Sequence, residues 1–437
     1  MKDKRTNKNR LLFHFTVGIM FISILFATIA SAALNSELQI TGDAVLIPDI
    51  AFSCDNPNNA ELFACIIINN HGGSNVIINR GLPDFTVAAN NTNRAEEEGL
   101  WRIQDEHGDA YIFRGTHDLN NNVIFAGHQW KILRVEGNNN VRLIYNGICP
   151  NDTCVINGPL AGTPTTIGTS AFNTASQSNR YVGYMFGSSC TTYAQCHANE
   201  IYSAIKQRVN LFFDSLSENA RDRIATNTFC SDRNLVTGTG IGQAQTTFGA
   251  VTRMNNREPS LNCIQPNDRL NLNVGLITID EIIMAGGRVG TANTDFFLRS
   301  NLWYWTMSPH STNAMGHATL YRLENLGGIS APNVVNHGGI RPVISLNYNV
   351  VVLRGNGSAT APFVIYVPAK SATCNLIAFQ NCWMGTSCFM DYCSHMEGSC
   401  ETPDFAFECS YCRFICSEEV SHCAEISNCE ITYYPID

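Results

Sequence analysis

Apolar positions along this chain change period several times, and each change marks an element. Alternating runs bounded by turn-forming residues predict strands over 109–114, 122–125, 129–135 and 141–145. Five turn-forming residues containing Gly137 separate the last two, the signature of a hairpin with a longer loop. Within 129–135, Trp130 and Ile132 point one way and Lys131 and Leu133 the other, so neither face is purely polar and the sheet is expected to be covered on both sides. The period turns helical over 199–213, where Ile201, Ala204, Ile205, Val209, Leu211 and Phe212 form one stripe. A second helix starts at Ser217, and a third opens on the capping-box pair Thr278 and Glu281 and stops at Gly286-Gly287. Nearer the start, 37–47 reads as a strand and Asn59 as the cap of a helix over 60–69. Aromatic and polar residues alternate over 302–307 up to Pro309, a buried strand, with 341–346 as its possible partner and Pro342 near that partner's start. Strands at both ends enclosing a helical middle predict an α+β domain whose last strands return to pair beside the first.

The N-terminus changes the compartment. Lys2, Lys4, Arg5, Lys8 and Arg10 precede the 22-residue, almost wholly apolar run 11–32, which ends in Ala30-Ser31-Ala32. This reads as an export signal, with an uncleaved membrane anchor as the alternative, because about 20 apolar residues suffice to span. All 18 cysteines follow it, so disulfides are the default expectation. Eight are spread over 54–263 and ten crowd into 374–429. Their spacing suggests local staples Cys54 with Cys65, Cys149 with Cys154 and Cys190 with Cys196, and one wider bridge between Cys230 and Cys263.

Charge separates the parts further. From residue 369 on, ten acidic residues face Lys370 and Arg413, a net of −8, while 33–368 hold 26 acidic against 21 basic, a net of −5. Neither part has the basic stripe that a nucleic-acid partner requires. The expected organisation is a signal or anchor over 1–32, a strand and helix connector over 33–98, a central domain over 99–368, and a cysteine-rich acidic module over 369–437. With few aliphatic residues, that last module would depend on several bridges for stability, and its Cys409, Cys412 and Cys416 read as disulfide partners rather than zinc ligands.

An ordered series of phrases adds a resemblance. Tyr111-Ile112-Phe113-Arg114-Gly115, Phe125 to Trp130, Phe229-Cys230-Ser231-Asp232-Arg233, Gly275 to Thr278 and Trp303 to Pro309 together resemble a domain family of exported bacterial proteins. Trp303-Tyr304-Trp305-Thr306, then Leu326-Gly327-Gly328, then Gly339-Ile340-Arg341, is also similar to the formylglycine-generating and C-type-lectin-like group. That likeness implies a C-type-lectin-like central domain with small antiparallel sheets, flanking helices and long loops that carry binding. The oxidase chemistry of formylglycine-generating enzymes needs a reactive cysteine pair near their Gly-Phe-Arg end, here Gly339-Ile340-Arg341, and no cysteine lies between Cys263 and Cys374. Calcium-dependent sugar binding is represented only by the partial matches Gln265-Pro266-Asn267 and Glu258-Pro259-Ser260, without the Trp-Asn-Asp that should accompany them.

His310, His317 and His337 share one polar segment, but their spacing matches no compact metal motif. No catalytic residue, metal ligand or cofactor is assigned. Trp130, Trp303, Trp305 and Arg341 are read as structural core, and His310, Asn313, His317 and Arg322 as the ligand-binding candidates on surface loops over 311–336. The function expected is therefore exported recognition of a cell-surface glycan or protein. Its rivals are an extracellular enzyme with an unidentified site and a structural surface-matrix component. A membrane would be met only through an uncleaved N-terminal segment.

Overall fold

A computed structural model describes residues 53–71, 81–156, 164–184, 203–233, 235–237, 245–263 and 269–367. The signal, the strand expected at 37–47, Cys190 with Cys196, the Gln265-Pro266-Asn267 phrase and the tail from 368 lie outside them.

The first described helix, α1 (Phe63–Asn70), follows a single 3-10 turn at Pro57–Asn59 whose first N–H groups are met by Asn56. It starts later than the Asn59 cap predicts, after that turn, and the disulfide Cys54–Cys65 ties it to the residues before the turn. One turn, α2 (Arg94–Glu97), then leads into β1 (Gly99–Asp105), β2 (Gly108–Arg114), β3 (Asn122–Phe125), β4 (His128–Val135) and β5 (Val141–Ile148). The hairpin expected between the last two is present, closed by the Glu136 N–H to Asn140 O bond and by Asn139 at φ 69°. Nearly every residue of β3, β4 and β5 is buried, as a sheet covered on both faces requires. Just beyond β5, Cys149 is bonded to Cys154.

The middle of the chain contributes β6 (Thr169–Ala171), α3 (Ala204–Ser215), α4 (Glu218–Arg221), β7 (Asn227–Cys230), β8 (Leu235–Thr237) and β9 (Thr247–Phe248). It continues with α5 (Gly249–Asn256), β10 (Arg269–Leu272), β11 (Val274–Gly275), α6 (Ile279–Met284) and β12 (Arg288–Val289). Three of these helices begin where a hydroxyl can take an orphan N–H: Ser203 accepts from Lys206, Ser217 from Ala220 and Thr278 from Glu281. Glu281 returns the bond by accepting the Thr278 N–H at 2.7 Å, which completes the predicted capping box. Cys230 at the end of β7 is bonded to Cys263, 33 residues on. Closing a loop of that length restricts the unfolded chain, so replacing both cysteines by serine should lower stability by about 3–4 kcal/mol. Urea unfolding of the double variant checks this, and an unchanged midpoint would show that the bridge stabilises nothing.

The last third supplies β13 (Tyr304–Thr312), β14 (Ala318–Leu323), β15 (Gly328–Ser330), β16 (His337–Gly339), β17 (Val343–Leu346), β18 (Val352–Arg354) and β19 (Phe363–Ile365). Here two expectations fail. The aromatic strand does not pair with 341–346; it forms a hairpin with β14, inside the segment expected to be surface loop. β17 instead pairs antiparallel with β5, Val343 opposite Ile144 and Leu346 opposite Val141. The chain leaves one sheet after Gly339, which pairs with Tyr304 and Thr169, and enters the other at Val343. Ile340, Arg341 and Pro342 make the crossing, where the absent proline N–H would otherwise interrupt a ladder.

The result is α+β. One mixed sheet runs β11-β17-β5-β4-β3-β19-β18, with β2 joined to β4 and β1 to β2; a second runs β12-β15-β14-β13-β16-β6, with β9 joined to β13 and β8 to β9; β7 and β10 pair separately. Late strands β17 and β19 do return beside early ones, β5 and β3. Among the described residues no helix is long and apolar enough to cross a membrane. The disulfides fit an oxidising, extracellular setting.

Candidate functional site

The β13–β14 hairpin is the rigid support of the candidate site. At its turn, Asn313 accepts the Met315 and His317 N–H groups, each at 3.0 Å, and Gly316 takes the positive φ of 75° that closes the loop. Met315 stands 75 % exposed at the tip. His317 meets the Asn333 amide at 3.3 Å, while His310 lies two residues inside the strand end, 2.8 Å from Ser311 Oγ and 3.0 Å from Thr319 Oγ1. His310 also packs edge-on against Tyr321, and burial holds its imidazole below the ordinary histidine pKa. The third histidine of the segment, His337, is exposed on β16.

Arg322 points elsewhere. Its guanidinium lies 4.2 Å from the centre of the Trp303 ring and binds Glu324 and Ser330, so it braces β14 to β15. Trp303 is partly buried and stacks edge-on with fully buried Trp305. A Cβ at Gly338 would run into the Trp303 indole, which explains a glycine there. Trp130 and Arg341 are also buried. Arg341 has no acidic partner among the described residues and is met by Tyr145 O at 2.9 Å, Leu298 O at 2.7 Å and Asn146 Oδ1 at 3.1 Å.

Beside the hairpin lies an open polar cleft of about 580 Å³, lined by Ala175, Ser176, Gln177, Ser178, Arg180, Tyr181 and Val335. A tight turn builds its wall: Ser178 caps the 3-10 turn Asn179–Tyr181 by accepting the Arg180 N–H. That turn is tied to the sheet. Ser176 O accepts from Ala318 N at 2.7 Å, and Asn179 Nδ2 donates to Thr246 Oγ1, whose own residue exchanges bonds with Thr312. Val334 N bonds Ala318 O, which places Val335 and the neighbouring Asn333–His317 contact at the same rim. The Arg180 guanidinium makes no hydrogen bond or ion pair with any described residue.

Arg253 and Arg114 are instead paired with acidic residues. Arg253 grips Asp280 through two bonds of 2.7 Å and also pairs with Asp232, while Arg114 pairs with Glu97 and donates to four backbone carbonyls. Arg180 differs in facing a cleft, and with Gln177, two serines and a tyrosine ring it offers donors, acceptors and an aromatic face to a polar ligand. The sequence did not single these residues out, because a polar Thr- and Gly-rich stretch looks like any loop. The adjacent Ser178, Arg180 and Tyr181 were the available signal. No protein-family model, no curated protein and no solved structure matches this chain.

Proposed function

We propose that this chain is an exported recognition protein whose central domain, C-type-lectin-like in organisation, binds a cell-surface glycan. The observation that carries the reading is the cleft beside the β13–β14 hairpin, where Arg180, Gln177, Ser176, Ser178 and Tyr181 converge on a sheet-anchored turn. Hydroxyl-rich ligands match that lining, since a sugar presents alternating donors and acceptors on its edge and an apolar face that stacks on tyrosine. In this reading Asn313 and His317 at the hairpin turn extend the contact, and His310 and Arg322, bonded within the strands, hold the hairpin in shape.

A glycan-array screen of the chain after residue 32, followed by titration of the hits, tests this. Arg180→Ala should weaken binding about tenfold or more, equivalent to about 1.4 kcal/mol, with an unfolding midpoint like that of the parent. Full affinity in a folded Arg180→Ala, Gln177→Ala double variant would place recognition elsewhere.

A further inference from the structure

Lys131 is a cation in the middle of a buried strand. It is 6 % exposed, and its Nζ donates to Asn122 Oδ1 at 2.6 Å and, more weakly, to Asn121 Oδ1 at 3.4 Å. Asn122 is its cross-strand partner, opposite it in the β3–β4 register and 1 % exposed. The orientation of the Asn122 amide is fixed by its surroundings. Its nitrogen donates to Gly357 O at 2.8 Å and towards Leu119 O at 3.4 Å, groups that only accept, so the oxygen faces the lysine.

No carboxylate is bonded to Lys131 among the described residues. The charged groups that act on it are Arg341, which disfavours the ammonium, and Asp118, which favours it but is half exposed and paired with Arg94. Burial, reinforced by Arg341, lowers the amine to about 7, so a large share of it is neutral at physiological pH. A neutral primary amine is thus held against an amide carbonyl with both partners immobilised, which is how proximity accelerates an otherwise slow addition.

We propose that Lys131 and Asn122 join through a side-chain amide bond that cross-links β3 to β4. Nζ adds to Asn122 Cγ and forms the new C–N bond, with the carbonyl electron pair moving onto Oδ1. A proton passes from Nζ to Nδ2, the Cγ–Nδ2 bond breaks, and ammonia leaves as the carbonyl re-forms. Nothing is oxidised or reduced, and no second substrate is consumed. The product replaces a buried ionisable amine by a neutral amide, which removes the cost of holding charge in the interior. It also fastens β3 to β4 in the sheet that β19 joins from the other side of β3.

Mass spectrometry of the purified full chain, reduced and then digested with trypsin, decides the matter. The expected result is an intact mass lighter by one ammonia than the sequence requires, and a tryptic peptide running from Gly115 to Arg134 without cleavage at Lys131. Fragmentation should give no backbone ions between residues 122 and 131, because the link closes that segment into a ring. Lys131→Arg and Asn122→Ala should each restore the full sequence mass. Normal cleavage after Lys131 would overturn the proposal even if ammonia were lost, since a succinimide at an asparagine leaves the lysine free. A full-mass protein after prolonged incubation at mildly alkaline pH would overturn it as well.

Discussion

Replacing Glu281 by alanine should lower the free energy of unfolding by about 3–5 kcal/mol, the loss expected when one member of a buried ion-pair network is removed. Glu281 and Glu136 each pair with both Arg134 and Arg142, so two carboxylates balance two guanidinium groups, all with side chains under a tenth exposed. Without Glu281 the interior keeps an uncompensated cation. The same carboxylate accepts the Thr278 N–H that opens α6, so a cap is lost with the charge. Glu281→Gln keeps the shape and part of the cap, and its loss should be smaller.

The pH dependence has a definite sign. Burial alone would raise the Glu281 pKa, but Arg142 and Arg134 outweigh it and hold the carboxyl below the usual range. The unfolded chain therefore takes up its proton first. This group's contribution is complete above the unfolded glutamate value of about 4.3 and disappears as pH falls through the lower folded value. Denaturant melts at neutral pH and through the acid range, for the parent and Glu281→Gln, check both statements. If the two proteins lost stability equally on acidification, another carboxylate would govern the acid limb.

Trp305→Ala should cost a comparable amount, about 3–5 kcal/mol, as a large-to-small change in a packed core. Trp305 is 0 % exposed, packs edge-on against Phe172 and Trp303, and donates Nε1–H to Ser170 O at 3.0 Å. Its removal empties the space between β13 and β6 and leaves a carbonyl without its donor. Trp303→Ala should cost clearly less, because that ring is partly exposed and one face is covered by Arg322. Equal losses at the two positions would show that the second sheet does not distinguish its inner tryptophan from its outer one.

The polar segment after the aromatic strand shows why part of the site was legible and part was not. His310, Asn313, His317 and Arg322 were expected on loops, yet only the turn around Asn313 is loop; Ala318–Leu323 is a strand. Small and polar residues there hide a strand because the apolar Leu320, Tyr321 and Leu323 are interrupted on both faces by Thr319 and Arg322, whose bonds to Ser311, Glu324 and Ser330 replace apolar packing. The cleft was less legible still. Ser176 to Tyr181 acquire their placement from Ala318, Thr246 and Thr312, residues roughly 70 to 140 positions away.

What the sequence by itself determined was local. The Thr278–Glu281 box, the Ser217 cap, the β4–β5 hairpin and the short Cys54–Cys65 and Cys149–Cys154 bridges each depend on groups a few residues apart, whose geometry is nearly complete once the backbone period is known. Tertiary structure alone decided that 343–346 joins β5 rather than the aromatic strand, and that Arg341 is held between Tyr145, Asn146 and Leu298. An alternating apolar pattern states that a strand is buried but not which edge it meets. Several edges here were equally apolar, and the choice fell to long-range bonds that give buried donors such as the Arg341 guanidinium their acceptors.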